Sequence, residues 1–188
     1  MHCQSKPFIN GYLSLSKYSL TFGGMMTTQR FILSSPDIQE GHFMAKVHEF
    51  DGWGCSGGNV SPELNWQHAP AGTKSFAVTV FDPDAPTGSG FWHWLVADIP
   101  ADATGLARGA GKGSLPTGSR SFGNDYGSKD FGGACPPEGH GMHRYQFTVW
   151  ALPEEALPVP DGASAAAVGF NLNAMALGKA TLTATYAR

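Results

Sequence analysis

The sequence predicts a mostly β domain with a single helix near its C-terminus, and three observations carry that prediction. Apolar stretches of strand length recur along the chain, the clearest being Lys74 to Asp82 (KSFAVTVFD), Phe91 to Ile99 (FWHWLVADI) and the alternating His143 to Leu152 (HRYQFTVWAL). The composition combines 25 Gly and 13 Pro with only 14% charged residues, which suits short strands and many turns. Helical spacing shows once, in Ala163 to Leu177, where Val168, Leu172 and Met175 fall on one side. At 188 residues the chain should form one domain large enough to bury a core.

Taken in order, residues 1–26 are expected to be an extension, disordered or not part of the natural start, and residues 27–188 the domain. The extension makes a poor signal peptide, because Lys6 is its one early charge and Asn10-Gly11 interrupt its apolar stretch. Met25-Met26 stands just before the first patterned segment. Gln29 to Ser34 is a short apolar run ended by Ser35-Pro36. Gly41 to Phe50 alternates, with Phe43, Ala45 and Val47 on one face, as a strand would. Gly52 to Pro62 is dense in Gly, Ser and Asn and must be a loop. Glu63 to Gln67 reads as a short strand, followed by a turn at Ala69 to Thr73. Lys74–Asp82 and Phe91–Ile99 then form a hairpin across DPDAPTGSG. Ala101 to Gly141 is Gly-rich with few apolar residues, and so long an irregular run is usually functional. Thr181 to Tyr186 is a final short strand.

A net charge of -3 with no basic run speaks against nucleic acid or an anionic membrane surface as partner. No apolar run approaches the roughly 18 residues that span a bilayer. The chain is therefore assigned to the cytoplasm, where reduced thiols are the default. Of three cysteines, Cys3 lies in the extension, which leaves Cys55 and Cys135 as the pair for an internal bridge.

Side chains two apart share a strand face. Phe76, Val78 and Val80 share that of Asp82; Phe91, Leu95, Ala97 and Ile99 share that of His93; Phe147, Val149 and Ala151 share that of His143 and Tyr145. Each strand thus carries polar groups at one tip of an apolar face, the usual form of a small-ligand site. Two imidazoles, a phenol and loop N–H groups predict a donor-rich mouth suited to phosphate or carboxylate oxygens. The Gly-rich run Phe131 to Gly139 allows close backbone approach. Other readings stand beside this one. Asp82 heads an Asp-Pro turn, Asp84 could hold that loop or pair with Arg144, and His93 could be a satisfied core histidine. His143 could lie exposed at a strand start. His140 with His143, or Asp82 with both His93 and His143, resemble metal ligands by type, without supporting spacing. A hydrolase could use His93 or His143 as base with Asp82 orienting it, but no nucleophile elbow is present, and Cys135 is the one candidate nucleophile nearby.

DPDAP at Asp82 to Pro86, WHWLV at Trp92 to Val96 and CPPEG…GMHRYQFTVWAL at Cys135 to Leu152 together resemble the phosphatidylethanolamine-binding protein family, which includes the Raf kinase inhibitor proteins and plant flowering-time regulators. GCSGGNVSPELNW at Gly54 to Trp66 resembles its bacterial branch. The resemblance runs from about Phe31 to Arg188. It implies a β-sandwich of antiparallel-rich sheets with a short C-terminal helix, and a pocket for small anions such as phosphate or phospholipid head groups. Asp82, His93, His143 and Tyr145 would line that pocket. Pro136 and Pro137, with backbone around Gly133, would form its rim, and Asp84, Pro86, Trp92 and Arg144 would support it. The Ala85–Pro86 bond could be cis in this family's loop. The resemblance implies a binding protein rather than an enzyme, with no catalytic residue, metal or cofactor. It admits a protein kinase or another protein as partner, and a homodimer. Three departures stand out: Phe131 where the family often has Tyr, Ala134 where bacterial members often have Pro, and Met175 where His is expected near the pocket. The first two predict a rim of changed polarity.

Overall fold

The structure, a computed structural model, describes residues 29–188; the extension expected over residues 1–26 lies outside them. The alternating segments form two antiparallel sheets. The smaller contains β1 (Ile32–Ser34), β2 (Leu64–Gln67) and β5 (Gly105–Leu106), with β2 in the middle. The larger is built from β3 (Ser75–Asp82), β4 (Phe91–Pro100), β6 (Arg120–Ser121), β7 (His143–Leu152) and β8 (Gly178–Tyr186), in the order β6-β4-β3-β7-β8. One helix, α1 (Ala165–Met175), connects β7 to β8.

Central strand β3 is buried at every position except Phe81, which is half-buried, because both faces of its sheet are covered. Phe76, Val78 and Val80 meet Leu64, Trp66 and Leu106 of the small sheet. On the opposite face Ala77, Leu95, Ala97 and Trp150 meet Ala165, Val168 and Leu172 of α1. The molecule is thus a β-sandwich with a helix on the outer face of its larger sheet. The Ser164 hydroxyl caps α1 by accepting the Ala167 N–H at 3.2 Å. Gly169 sits where α1 crosses Trp92, and a Cβ there would stand 3.0 Å from the indole, close enough that the ring would have to shift. Trp92 therefore supports the helix rather than the pocket, and Met175 packs on this same outer face. Its departure from the family pattern lies across the sheet from the site.

Three expectations need correction. Gly41–Phe50 is not a strand. It makes two isolated bridges, Phe43 to Thr185 and Glu49 to Ala134, with a 3-10 turn over Lys46–His48 between them. Its first half bonds to β8 at Thr183 and Thr185, and its second half to loops: Asn59 and Gly57 donate to Glu49 and Phe50, and Ala134 donates to His48. The buried polar chains of His48 and Glu49 satisfy themselves there, His48 Nδ1 at 2.7 Å from the Val60 carbonyl and Glu49 accepting the Tyr186 hydroxyl. Second, every peptide bond among the described residues is trans, Ala85–Pro86 included. Third, Cys55 and Cys135 are joined in a disulfide, not held as reduced thiols, and the bridge links loops 80 residues apart. The last strand is also longer than expected, beginning at Gly178.

Candidate functional site

The β3–β4 hairpin pairs Asp82 with Phe91 at its turn end, so the acid and the start of β4 share one end of the sheet. Register then breaks. Val80 pairs with Trp94 and Phe81 with Trp92, which leaves His93 opposite nothing. This extra residue is a β-bulge, a device that re-aims a side chain. It puts His93 and Trp94, consecutive in sequence, on the inner face together. Trp94, Val96 and Ile99 continue that face, while Leu95 and Ala97 turn to the helix. The alternation expected through His93, Leu95 and Ala97 breaks at this bulge, and a second register shift, between Phe76 and Val78, returns Ile99 to the inner face.

His93 is buried, and its Nδ1 faces the carbonyls of Gly132 and Gly133 at 2.9 and 3.1 Å. Burial pushes its imidazole below the ordinary value, against the opposing pull of those carbonyls and the Asp82 carboxylate. Gly133 thus stands behind His93 rather than at the cavity surface. Its own N–H donates to Asn59 at 2.7 Å, and a Cβ would lie 2.4 Å from the His48 carbonyl oxygen, so only glycine fits.

Asp82 is 2% exposed and serves both roles weighed for it. Oδ1 accepts the Asp84 N–H at 2.8 Å, closing the turn, and Oδ2 accepts His143 Nδ1–H at 2.7 Å. His143, far from exposed, is buried at the start of β7, and its Nε2 lies 2.7 Å from Nδ1 of His140. A carboxylate, a buried imidazole and an exposed imidazole therefore form one chain. Tyr145 sits beneath His93, ring centroids 5.1 Å apart, and its buried hydroxyl has no hydrogen-bond partner among the described residues. Burial, with the Asp82 charge adding to it, raises both Tyr145 and Tyr126 well above the ordinary phenol value, so both stay protonated.

These groups enclose a cavity of about 200 Å³ lined by Asp82, His93, His143, Tyr145, Pro136, Pro137 and Pro86 together with Trp53, Ala85, Thr87, Phe91, Tyr126 and Cys135. Asp84 and Arg144 are its outer brace: Arg144 donates to Asp84 from Nε at 2.9 Å and Nη2 at 2.8 Å. The hydrogen bonds from Arg144 hold the Asp84 carboxyl down at about 2. A carboxyl NMR titration should therefore find Asp84 charged until the pH falls through about 2, with its midpoint rising toward the ordinary carboxylate value in Arg144→Ala. Phe131 and Ala134 are both buried in the core and do not line the cavity, so the rim does not change polarity through them. Asp82, His93 and His143 do not converge as a ligand set, and among the described residues no three His, Cys, Asp or Glu side chains are placed to hold a metal.

Two aromatics escaped the sequence reading. Trp53 stands at the lip, 66% exposed and in a left-handed backbone conformation (φ 57°) that disfavours bulky residues. Tyr126 lies 4.7 Å from it and gives its hydroxyl to the Gly133 carbonyl at 2.9 Å. The available signal was a lone aromatic within each Gly-rich stretch, DGWGC and NDYGS.

Fold and site together define a β-sandwich with an acid, imidazole and phenol cavity at one end of its larger sheet. The sequence pattern of the phosphatidylethanolamine-binding protein family matches residues 34–187. The UPF0098 protein YbcL of Escherichia coli is 52% identical over 159 residues, covering 83% of this chain and 87% of that one. Its relative YbhB, also of E. coli, is 47% identical and covers 82% and 98%. The crystal structure of E. coli YbcL, described as a new member of the mammalian PEBP family, superposes with a TM-score of 0.82 at 51% identity, covering 84% of this chain and 98% of that one. The chain belongs to the phosphatidylethanolamine-binding protein family, in its bacterial branch.

Proposed function

We propose that the protein binds a small ligand through a phosphate-type group, free or on a phospholipid head group, in the cavity between Asp82, His93 and Tyr145. The observation that carries this reading is the Tyr145 hydroxyl, a buried donor lining the cavity without a partner. Leaving such a group unpaired costs about 1–3 kcal/mol, which a ligand oxygen would recover. The cavity size suits a head group and not acyl chains. Titration with inorganic phosphate and phosphorylethanolamine, followed through the histidine ring signals, tests the reading: His93 and His143 should shift together, and unmoved imidazoles would refute it. Tyr145→Phe should weaken binding about tenfold while leaving the unfolding midpoint unchanged or slightly raised, since it removes an unsatisfied hydroxyl.

One observation favours a second reading. The Asp82–His143–His140 chain is an orienting acid behind two imidazoles, the arrangement of a general base. The disulfide occupies Cys135, the candidate nucleophile, so water would have to attack. Ester turnover that disappears in Asp82→Ala would support this, and inertness toward phosphate and carboxylate esters would end it. Action on a protein kinase or another protein, and a homodimer, rest on the family resemblance; affinity capture and sedimentation test them. The cytoplasmic assignment and the closed Cys55–Cys135 bridge oppose each other, because cytosolic thiols are kept reduced. Cell fractionation with thiol alkylation separates them: free thiols in a cytosolic fraction uphold the first, a blocked pair in an exported fraction the second.

A further inference from the structure

The tautomer of His93 is set by the backbone. Because Nδ1 faces two carbonyl oxygens, it must carry the hydrogen, and in the neutral ring Nε2 is then a bare lone pair. Nε2 has no hydrogen-bond partner among the described residues, and the ring lines the cavity. Beside it Asp82 offers only acceptor oxygens, and its two bonds from Asp84 N–H and His143 leave lone pairs to spare. Among the described residues no Lys or Arg lines the cavity. The Tyr126 hydroxyl is committed to Gly133, and His143 Nε2 is engaged by His140. Tyr145 is the one free side-chain donor at the floor. The wall is therefore richer in acceptors than in donors, the reverse of the donor-rich mouth expected from residue types. A fully deprotonated oxyanion would face the Asp82 charge and the His93 lone pair with no hydrogen to offer either.

We infer that the pocket takes its oxyanion with a proton still attached: a phosphate or phosphate monoester in its singly charged, protonated form, whose P–OH donates to Asp82 or His93 Nε2 while another oxygen accepts from Tyr145. This rests on the phosphate-type reading above and adds a selection rule to it. Sulfate, of similar size and shape but with no proton to give near neutral pH, is refused.

The rival source of a proton is the protein. Asp82 and Asp84 approach from β3 and its turn, Asp125 and Tyr126 from the loop after β6, Glu138 from beside Pro137, and His140, His143, Arg144 and Tyr145 from β7 and its approach. Asp84 and Arg144 neutralise each other. A positive charge on the His140–His143 pair would draw sulfate and phosphate alike.

Calorimetry on the full chain from pH 5 to 9, with inorganic phosphate, methylphosphonate, phosphorylethanolamine and sulfate, separates these cases. Sulfate should bind about 10- to 100-fold more weakly than phosphate. Phosphate affinity should be constant at low pH and fall about tenfold per unit once the ligand loses its last proton. The midpoint should move with the ligand, lying near about pH 6 for the monoester and higher for methylphosphonate. Asp82→Asn, which replaces an acceptor by an amide donor, should admit sulfate and flatten the profile; the ligand series on the unaltered protein stands without it. A midpoint shared by all ligands, with sulfate tightening in step, would overturn the inference and leave the phosphate-type reading intact. Failure of every phosphate to bind at any pH would overturn that reading itself.

Discussion

Replacing Asp82 by alanine is expected to destabilise the protein by about 3 kcal/mol and to abolish ligand binding. The side chain is almost wholly buried and joins two elements, the turn after β3 through Asp84 N–H and the start of β7 through His143. Its removal leaves His143 Nδ1 unpaired where only 1% of that residue is exposed, so the loss exceeds that of a surface ion pair. Asp82→Asn should cost less, because the amide oxygen can still accept one of the two bonds. Urea unfolding of both variants measures the difference. A shift under about 1 kcal/mol for the alanine variant would show that the buried acid contributes little.

Opening the Cys55–Cys135 bridge is expected to produce the other large effect. Closing a loop across 80 residues restricts the unfolded chain by about 4 kcal/mol on the loop-entropy account. The bridge also ties the Trp53 loop to the rim at Pro136 and Pro137, so the lip should loosen in the same step. The Cys55→Ser, Cys135→Ser double variant should unfold at clearly lower denaturant, and its indole fluorescence should report a more mobile Trp53. An unfolding midpoint that is the same in the double variant and the oxidised protein would contradict this.

Much of the fold was legible in the sequence because β3, β4 and β7 have the length, apolar content and branched or aromatic residues of buried strands, and β7 was placed to the residue. The acid and both buried imidazoles were legible for the same reason, being polar residues at the ends of those strands. The bulge at His93 was not. Strand pairing decides it, and FWHWLVADI reads equally well without it, so Leu95 and Ala97 were put on the wrong face. Gly41–Phe50 misled because it meets β8 only briefly, at Thr183 and Thr185, and then turns into loop contacts instead of a ladder. Residue types also named the groups of the cavity without telling which hydrogen bonds would consume them. Two of the expected donors are already committed, His93 Nδ1 to two carbonyls and His143 Nδ1 to Asp82.

Strand β8 is the outermost strand of the larger sheet, nine residues long, and would present a row of unpaired amides to any neighbouring chain. The segment mistaken for a strand stands against it. Gly41 N–H donates to Thr183 at 2.7 Å, Met44 N–H to Thr185 at 2.9 Å, and Thr185 N–H returns to His42 at 2.8 Å, while the Glu40 carboxylate takes the Thr183 N–H. Lys179, in the part of the strand that this segment does not reach, holds its ammonium over the Trp150 ring, 4.6 Å from the centroid. Residues 40–44 thus act as a border rather than as part of the sheet, and they keep copies of the chain from adding to one another strand by strand.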